Sequence, residues 1–185
     1  MTNKVIVALD NKNLKEIITI VNKTKSEVFA FKIGKEFFYR YGIEGYKKIF
    51  KLSPKIFLDL KLHDIPNTVE KALKAILKLR PLLTTIHITG GDEMQKASSK
   101  LKRDKTKILG VTVLTSLNTS QTKKYYNNKN INQLVKKNNH TQYGISFSQH
   151  IPIRLDKEDA ETSFDRSQYS EYGGGLIKVF IRTQI

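Results

Sequence analysis

The stretch FLDLKLHDIPNTV, residues 57–69, decides how this chain is read. It sets Asp59, Lys61 and Asp64 within six positions, beside apolar residues bound for a core. On a strand, residues two apart point to the same side, so Asp59 and Lys61 are expected to project together. Pro66 is expected to turn the chain out of the strand, because proline cannot donate to a ladder. Phe57, Leu58, Leu60 and Ile65 predict partial desolvation around these charges, Asp64 included. In such surroundings charge interactions are much stronger than in water, and a lysine can be tuned as an acid. A plainer alternative is a same-face ion pair followed by a turn aspartate before proline. The spacing alone leaves both open.

Outward from this stretch the chain has a regular rhythm. KVIVALD is a short β-branched run ending at Asp10, and NLKEIITIVNKT carries Leu14, Ile17, Ile18 and Val21 at helical spacing. VFAFKIG is a second strand, broken by Lys32. KEFFYRYGIEGYKKIF reads as a helix interrupted near Gly42. KIFLDLK is the third strand, and NTVEKALKAILKLR is an amphipathic helix with Asn67 as expected N-cap and Glu70 three residues later. LLTTIHITGG is a fourth strand, DEMQKASSKLK a helix with Asp92 as expected cap, and KILGVTVLTS a fifth strand. LNTSQTKKYYNNKN predicts a loop with a short helix, INQLVKKNNH has weak helical spacing, and YGISFSQHI is a candidate sixth strand.

The polar residues near the strand ends are Asp10, Lys32, Asp59, His87 and Thr115, separated by 22, 27, 28 and 28 residues. One β-α unit of a parallel sheet needs about that much chain, and strands covered on both faces read as continuous apolar runs. Charged or polar groups closing nearly every strand favour a β/α barrel, whose catalytic groups gather at the C-terminal strand ends. A dinucleotide-type sheet would carry a glycine-rich turn after its first strand; here that turn is LDNKN, without glycine.

Composition narrows the classes. The 185 residues are enough for one domain with a core. The absence of cysteine excludes a disulfide scaffold, a thiolate zinc site and a cysteine nucleophile, and fits a cytoplasmic setting. The apolar start meets Asp10 too soon for a signal-peptide core, and no run is long enough to span a membrane. The net charge of +16 invites a nucleic-acid reading. Its lysines, however, are scattered over nearly every segment, and basic residues are not interleaved with aromatic platforms. A solvated surface that attracts anionic, phosphorylated small molecules is the preferred reading, and a basic RNA- or anion-binding module is the alternative.

The full wording of residues 57–69 resembles the signature of the orotidine 5′-phosphate decarboxylase family in its bacterial form. VIVALD, FKIGKEFF, TIHITGG and VTVLTS match in order, and the resemblance covers about residues 4–150. Relatives that decarboxylate keto-gulonate phosphates share D-x-K-x-x-D and use magnesium. HDIPNT points instead to the orotidylate branch, which uses no metal and no cofactor. The resemblance implies a TIM-type barrel, orotidine 5′-phosphate as substrate, UMP as product, and a homodimer with shared sites. It implies Lys61 as the proton donor, with Asp59 and Lys32 in the same charged array and Asp64 lent to the neighbouring subunit's site. Ile65 and Thr68 would cross the interface with Asp64. Asp10 would bind the ribose hydroxyls, Thr115 would contact the base, and His87 would be structural or lie on the ribose side.

The resemblance also shows where the chain departs. The family barrel has eight strands, and about six are expected here, with strands seven and eight missing. The family's late TPGIR-like and GRPI-like phosphate segments have no match. FIRTQI offers Arg182 without the surrounding pattern. Residues 1–150 are therefore expected to form a partial barrel and residues 151–185 a divergent tail. Strands one and six would be open edges. Activity is expected to be impaired or lost. A split enzyme completed by a second polypeptide, or a non-catalytic remnant, are the alternatives.

Overall fold

The computed structural model describes residues 5–10, 13–101, 105–112, 114, 117–126, 146–148, 152–153 and 179–181. In chain order the strands are β1 (Val5–Ala8), β2 (Ala30–Gly34), β3 (Ile56–Leu62), β4 (Leu83–His87), β5 (Lys107–Val111), β6 (Ser146–Ser148), β7 (Pro152–Ile153) and β8 (Val179–Ile181). The helices are α1 (Leu14–Thr24), α2 (Lys35–Leu52), α3 (Pro66–Lys78), α4 (Asp92–Ser99) and α5 (Thr119–Tyr125). The chain divides into two compact units, Met1–Ser53 with Ile151–Ile185, and Pro54–His150.

In the first unit the strand order is β2-β1-β8-β7, with every pairing parallel. β1 is a β-branched run, which suits a pleated, covered strand, and Ile6, Val7 and Ala8 are buried. α1 begins at Asn13, whose side chain accepts the Glu16 amide, and buries Ile17 and Val21. Asparagine is a strong N-cap because its short side chain reaches a free amide of the first turn. α1 packs on α2. The expected interruption in α2 falls at Gly42, at φ 58° and ψ −156°. That conformation lies outside the range open to most L-residues, and glycine meets it without a Cβ clash. Beyond the break, Gly45, Tyr46 and Ile49 are buried.

The expected open edge of strand one is not found. β8 lies beside β1, in register from Val5 with Val179 to Val7 with Ile181. The terminal apolar run thus has a partner: its β-branched residues satisfy the free backbone edge of another short β-branched run, as an exposed edge demands. β7 and β8 are nevertheless only 2 and 3 residues long. Among the described residues no helix lies between β6 and β8, so the β/α pattern is incomplete.

In the second unit the order is β3-β4-β5-β6, again all parallel. α3 and α4 pack together. Val69, Leu73, Ile86, Met94 and Ile108 form a buried cluster, with Leu62 and Leu101 against it. Each large apolar side chain removed from water there contributes about 1.5–3 kcal/mol. Two expected caps differ. α3 starts at Pro66, with Ile65 as N-cap, so Asn67 already lies inside the first turn. Proline suits that first position because its missing N–H has no intrahelical partner to lose. α4 is entered from Gly91 at φ 87°, and Asp92 stands in its first turn. Its carboxylate there still favours the helix dipole. α5 carries a reciprocal capping box between Asn118 and Gln121. INQLVKKNNH and the non-strand part of residues 151–185 lie outside the described residues.

Candidate active site

The structure forms two lysine–carboxylate pairs, one in each unit. In the first unit Lys32 on β2 stands in register with Ala8 on β1. Its carbonyl accepts the Leu9 amide at 2.9 Å, carrying the ladder one step past the strand end. This places Asp10 where the Lys32 Nζ donates to its Oδ2 at 2.9 Å. Both side chains are largely covered. Gly34 lies against the pair, since a Cβ on it would come within 2.9 Å of Asp10 Oδ1 and 3.2 Å of Lys32 Nζ.

In the second unit Lys61 Nζ donates to Asp59 Oδ2 at 2.7 Å. The Asp59 side chain is 4% exposed and that of Lys61 25%. The two groups do meet, as the spacing predicts, but not through regular pleating. Leu58 is in register with Thr84, whereas Leu62 is in register with Ile86. Residues 59–61 therefore stand opposite the single residue Thr85, and the strand bulges. Lys61 takes φ 49°, in the left-handed region that only glycine enters freely. Bulges re-aim a side chain at the cost of ladder bonds.

The lost ladder bond is replaced by a side chain. The Thr85 hydroxyl accepts the Lys61 backbone N–H at 2.8 Å and donates to Asp59 Oδ1 at 3.0 Å. Thr85 is wholly buried. Sequence reasoning did not single it out. The only signal was a pair of adjacent threonines, Thr84 and Thr85, within β4, which threonine's strand preference explains equally well.

Asp64 does not join the pair. It is exposed, and its Oδ1 accepts the Ile65 amide at 2.7 Å. The expected desolvation of Asp64 is thus absent within the chain, because β3 ends at Leu62 and the turn into Pro66 carries residues 63–65 outward. Ile65 is 65% exposed, unusual for so large an apolar residue, and Thr68 is exposed too. His87 closes β4 with its ring 5.2 Å from that of His63. Thr115 lies outside the described residues. Among the described residues no three His, Asp or Glu side chains are grouped as metal ligands, and no helix is long and apolar enough to cross a membrane.

Comparison with known proteins identifies the family and the fold. Residues 3–166 match the model of the orotidine 5′-phosphate decarboxylase / HUMPS family. The orotidine 5′-phosphate decarboxylase of Wolbachia sp. subsp. Brugia malayi is 47% identical over 116 residues, which is 62% of this chain and 52% of that protein. The enzyme of the same name from Ehrlichia chaffeensis is 43% identical over 123 residues, 66% of this chain and 53% of that one. The chain thus spans about half the length of the curated relatives it matches. The crystal structure of orotidine 5′-phosphate decarboxylase from Lactobacillus acidophilus superposes with a TM-score of 0.62 at 38% identity, over 72% of this chain and 63% of that one. That of the Methanocaldococcus jannaschii enzyme complexed with the inhibitor BMP gives 0.55 at 32% identity, over 60% and 53%. The parallel strand–helix order is that of a TIM-type β/α fold. The chain belongs to the orotidine 5′-phosphate decarboxylase / HUMPS family.

Proposed function

We propose that this chain carries the reaction centre for decarboxylation of orotidine 5′-phosphate to UMP, the closing step of UMP synthesis in the de novo pyrimidine pathway, in the cytoplasm. The observation that carries the reading is the buried Asp59–Lys61 pair on a bulged strand end, within a sequence of this family. Breaking the bond from C6 to the carboxylate releases CO₂ and leaves an electron pair on C6. No neighbouring group delocalises that pair, so a fixed positive charge must stand beside it and a proton must arrive. The Lys61 ammonium supplies both: its charge stabilises the developing carbanion, its proton passes to C6, and water then reprotonates the amine. Charge fixed in advance in a water-poor site is the most effective form of such stabilisation. Asp59 holds Lys61 in place. Lys32 extends the charged array, Asp10 takes the ribose hydroxyls, and Thr115 contacts the base. The reaction as proposed needs no metal and no cofactor.

The exposed Asp64, Ile65 and Thr68 are assigned to a homodimer in which each subunit completes its neighbour's site. Their exposure in the single chain supports this, since a large apolar side chain beside an exposed carboxylate suits a covered surface better than water. The family's phosphate-holding segments have no match in residues 151–185, which we read as a divergent tail following a partial barrel at 1–150. A second polypeptide bearing those segments is the further partner we assign. Binding energy from a remote phosphate lowers the barrier at the reacting carbon, so turnover by this chain alone is expected to be weak.

The test is the loss of ultraviolet absorbance of orotidine 5′-phosphate with the purified chain. Turnover abolished by Lys61→Ala supports the reading; turnover equal in that variant removes Lys61 as proton donor. Mixing the inactive Asp64→Ala and Lys61→Ala chains is expected to restore activity, because a mixed dimer holds one intact site. Absence of restoration counts against the shared site.

A further inference from the structure

We infer that Thr85 is a positioning residue of this site: its hydroxyl sets both the backbone of Lys61 and the orientation of Asp59. This deepens the decarboxylase reading and rests on it for its catalytic consequence. A hydroxyl has one proton to give and lone pairs to accept with, and here each direction is used on a different partner. The proton goes to Asp59 Oδ1 at 3.0 Å, while the oxygen takes the Lys61 amide at 2.8 Å. Lys61 Nζ closes the ring on the other carboxylate oxygen at 2.7 Å. Three contacts thus hold a residue whose backbone would not otherwise adopt φ 49°.

The register shows why a side chain is needed. Residues 59–61 face a single residue of β4, so the ladder cannot supply an acceptor for every amide of the bulge. A buried N–H left without an acceptor is costly. Thr85 is the residue opposite the bulge and is wholly buried, so its hydroxyl is shielded from competing water. Without it, Lys61 loses the acceptor that defines its left-handed turn, and Asp59 loses one of the donors that aim its carboxylate. The ammonium then wanders from the reacting carbon, and a displacement of about 1 Å can cost a hundred-fold in rate.

The experiment compares the whole chain with Thr85→Val, which keeps the shape without the hydroxyl, and Thr85→Ser, which keeps the hydroxyl. Three quantities are read: amide hydrogen exchange at Lys61 by nitrogen-15 NMR, the denaturation midpoint, and kcat and KM on orotidine 5′-phosphate. Thr85→Val is expected to speed exchange at Lys61 about tenfold, the factor for one lost hydrogen bond. It is expected to lower kcat about ten- to a hundred-fold with KM within about twofold, and Thr85→Ser restores both. Unchanged Lys61 exchange in folded Thr85→Val overturns the inference, whether or not the chain turns over. Faster exchange with an unchanged kcat overturns the positioning role and leaves the decarboxylase reading standing. A wild-type chain without turnover, in which Thr85→Val selectively frees the Lys61 amide, upholds the clamp and counts against catalysis by this chain alone. Should Thr85→Val not fold, Thr85→Ala and Thr85→Ser are compared, and equal Lys61 exchange in those two overturns the inference.

Discussion

The two lysine–carboxylate pairs have similar lengths, 2.9 Å for Lys32–Asp10 and 2.7 Å for Lys61–Asp59, yet they are built in opposite ways. The first joins neighbouring strands in regular parallel register, and its only unusual demand is the missing Cβ of Gly34. The second lies within one strand and needs a bulge, a lysine at positive φ and a buried hydroxyl from the next strand. Regular pairing is inexpensive and tolerant, because every backbone group keeps its partner. A bulge concentrates strain on one residue and makes its aim depend on a few specific bonds. The second arrangement suits a group whose position must be exact to a fraction of an ångström.

Substitutions break or sharpen this contrast in graded fashion. The largest effect is expected from Lys61→Gly and Lys61→Ala, both losing turnover by at least about a thousand-fold. Their stabilities should differ: glycine accepts the left-handed backbone freely, so Lys61→Gly is expected to exceed Lys61→Ala by about 1 kcal/mol in urea denaturation. Equal midpoints would falsify the claim that strain resides at this residue.

Next come the carboxylates. Asp59→Ala removes a buried group that holds Lys61 and Thr85 at once, and is expected to cost about 3 kcal/mol. Asp10→Ala, whose carboxylate is more exposed than that of Asp59, is expected to cost about 1 kcal/mol. The two denaturation curves decide, and a reversed order would mean that the regular pair is the more demanding one. Gly34→Ala should displace the Asp10 carboxylate and lower turnover several-fold with a loss of about 1 kcal/mol or less, since the atoms in the way are side-chain ends. A crystal structure of that variant with the pair undisturbed would contradict the close approach.

The smallest effect concerns an exposed pair on α3. Lys74 hydrogen-bonds Glu70 and holds its carboxyl below the usual range. A lowered carboxyl contributes stability above its unfolded value and loses it as pH falls through the folded one. Glu70→Gln should flatten only this acid limb of the stability curve, to a degree near the limit of measurement for a solvated pair. A change at neutral pH larger than that of Asp10→Ala would show that the pair does more than its exposure suggests.

Much of this was legible along the chain. Short apolar runs closed by charged residues at intervals of 22 to 28 positions are a one-dimensional trace of parallel β-α units, so β1 to β5 were readable. The break at Gly42 was readable because glycine within a helical pattern has few other reasons to be there. The N-cap of α3 was misplaced by two residues, at Asn67 in place of Ile65, because asparagine and proline both mark helix starts and proline prevailed. The partner of the terminal apolar run was invisible, since nothing local in VFI names the strand it joins.

The sequence by itself determined which residues close the strands and that Asp59 and Lys61 are neighbours on one of them, because periodicity and side-chain chemistry are properties of the chain. Only the tertiary structure decided how that pair is aimed. The bulge exists because β4 offers one residue against three, and Thr85 can bridge Asp59 and Lys61 only once parallel pairing has brought it across from them. Such a contact spans more than twenty positions and leaves no local signature, so it belongs to the fold and not to any segment of it.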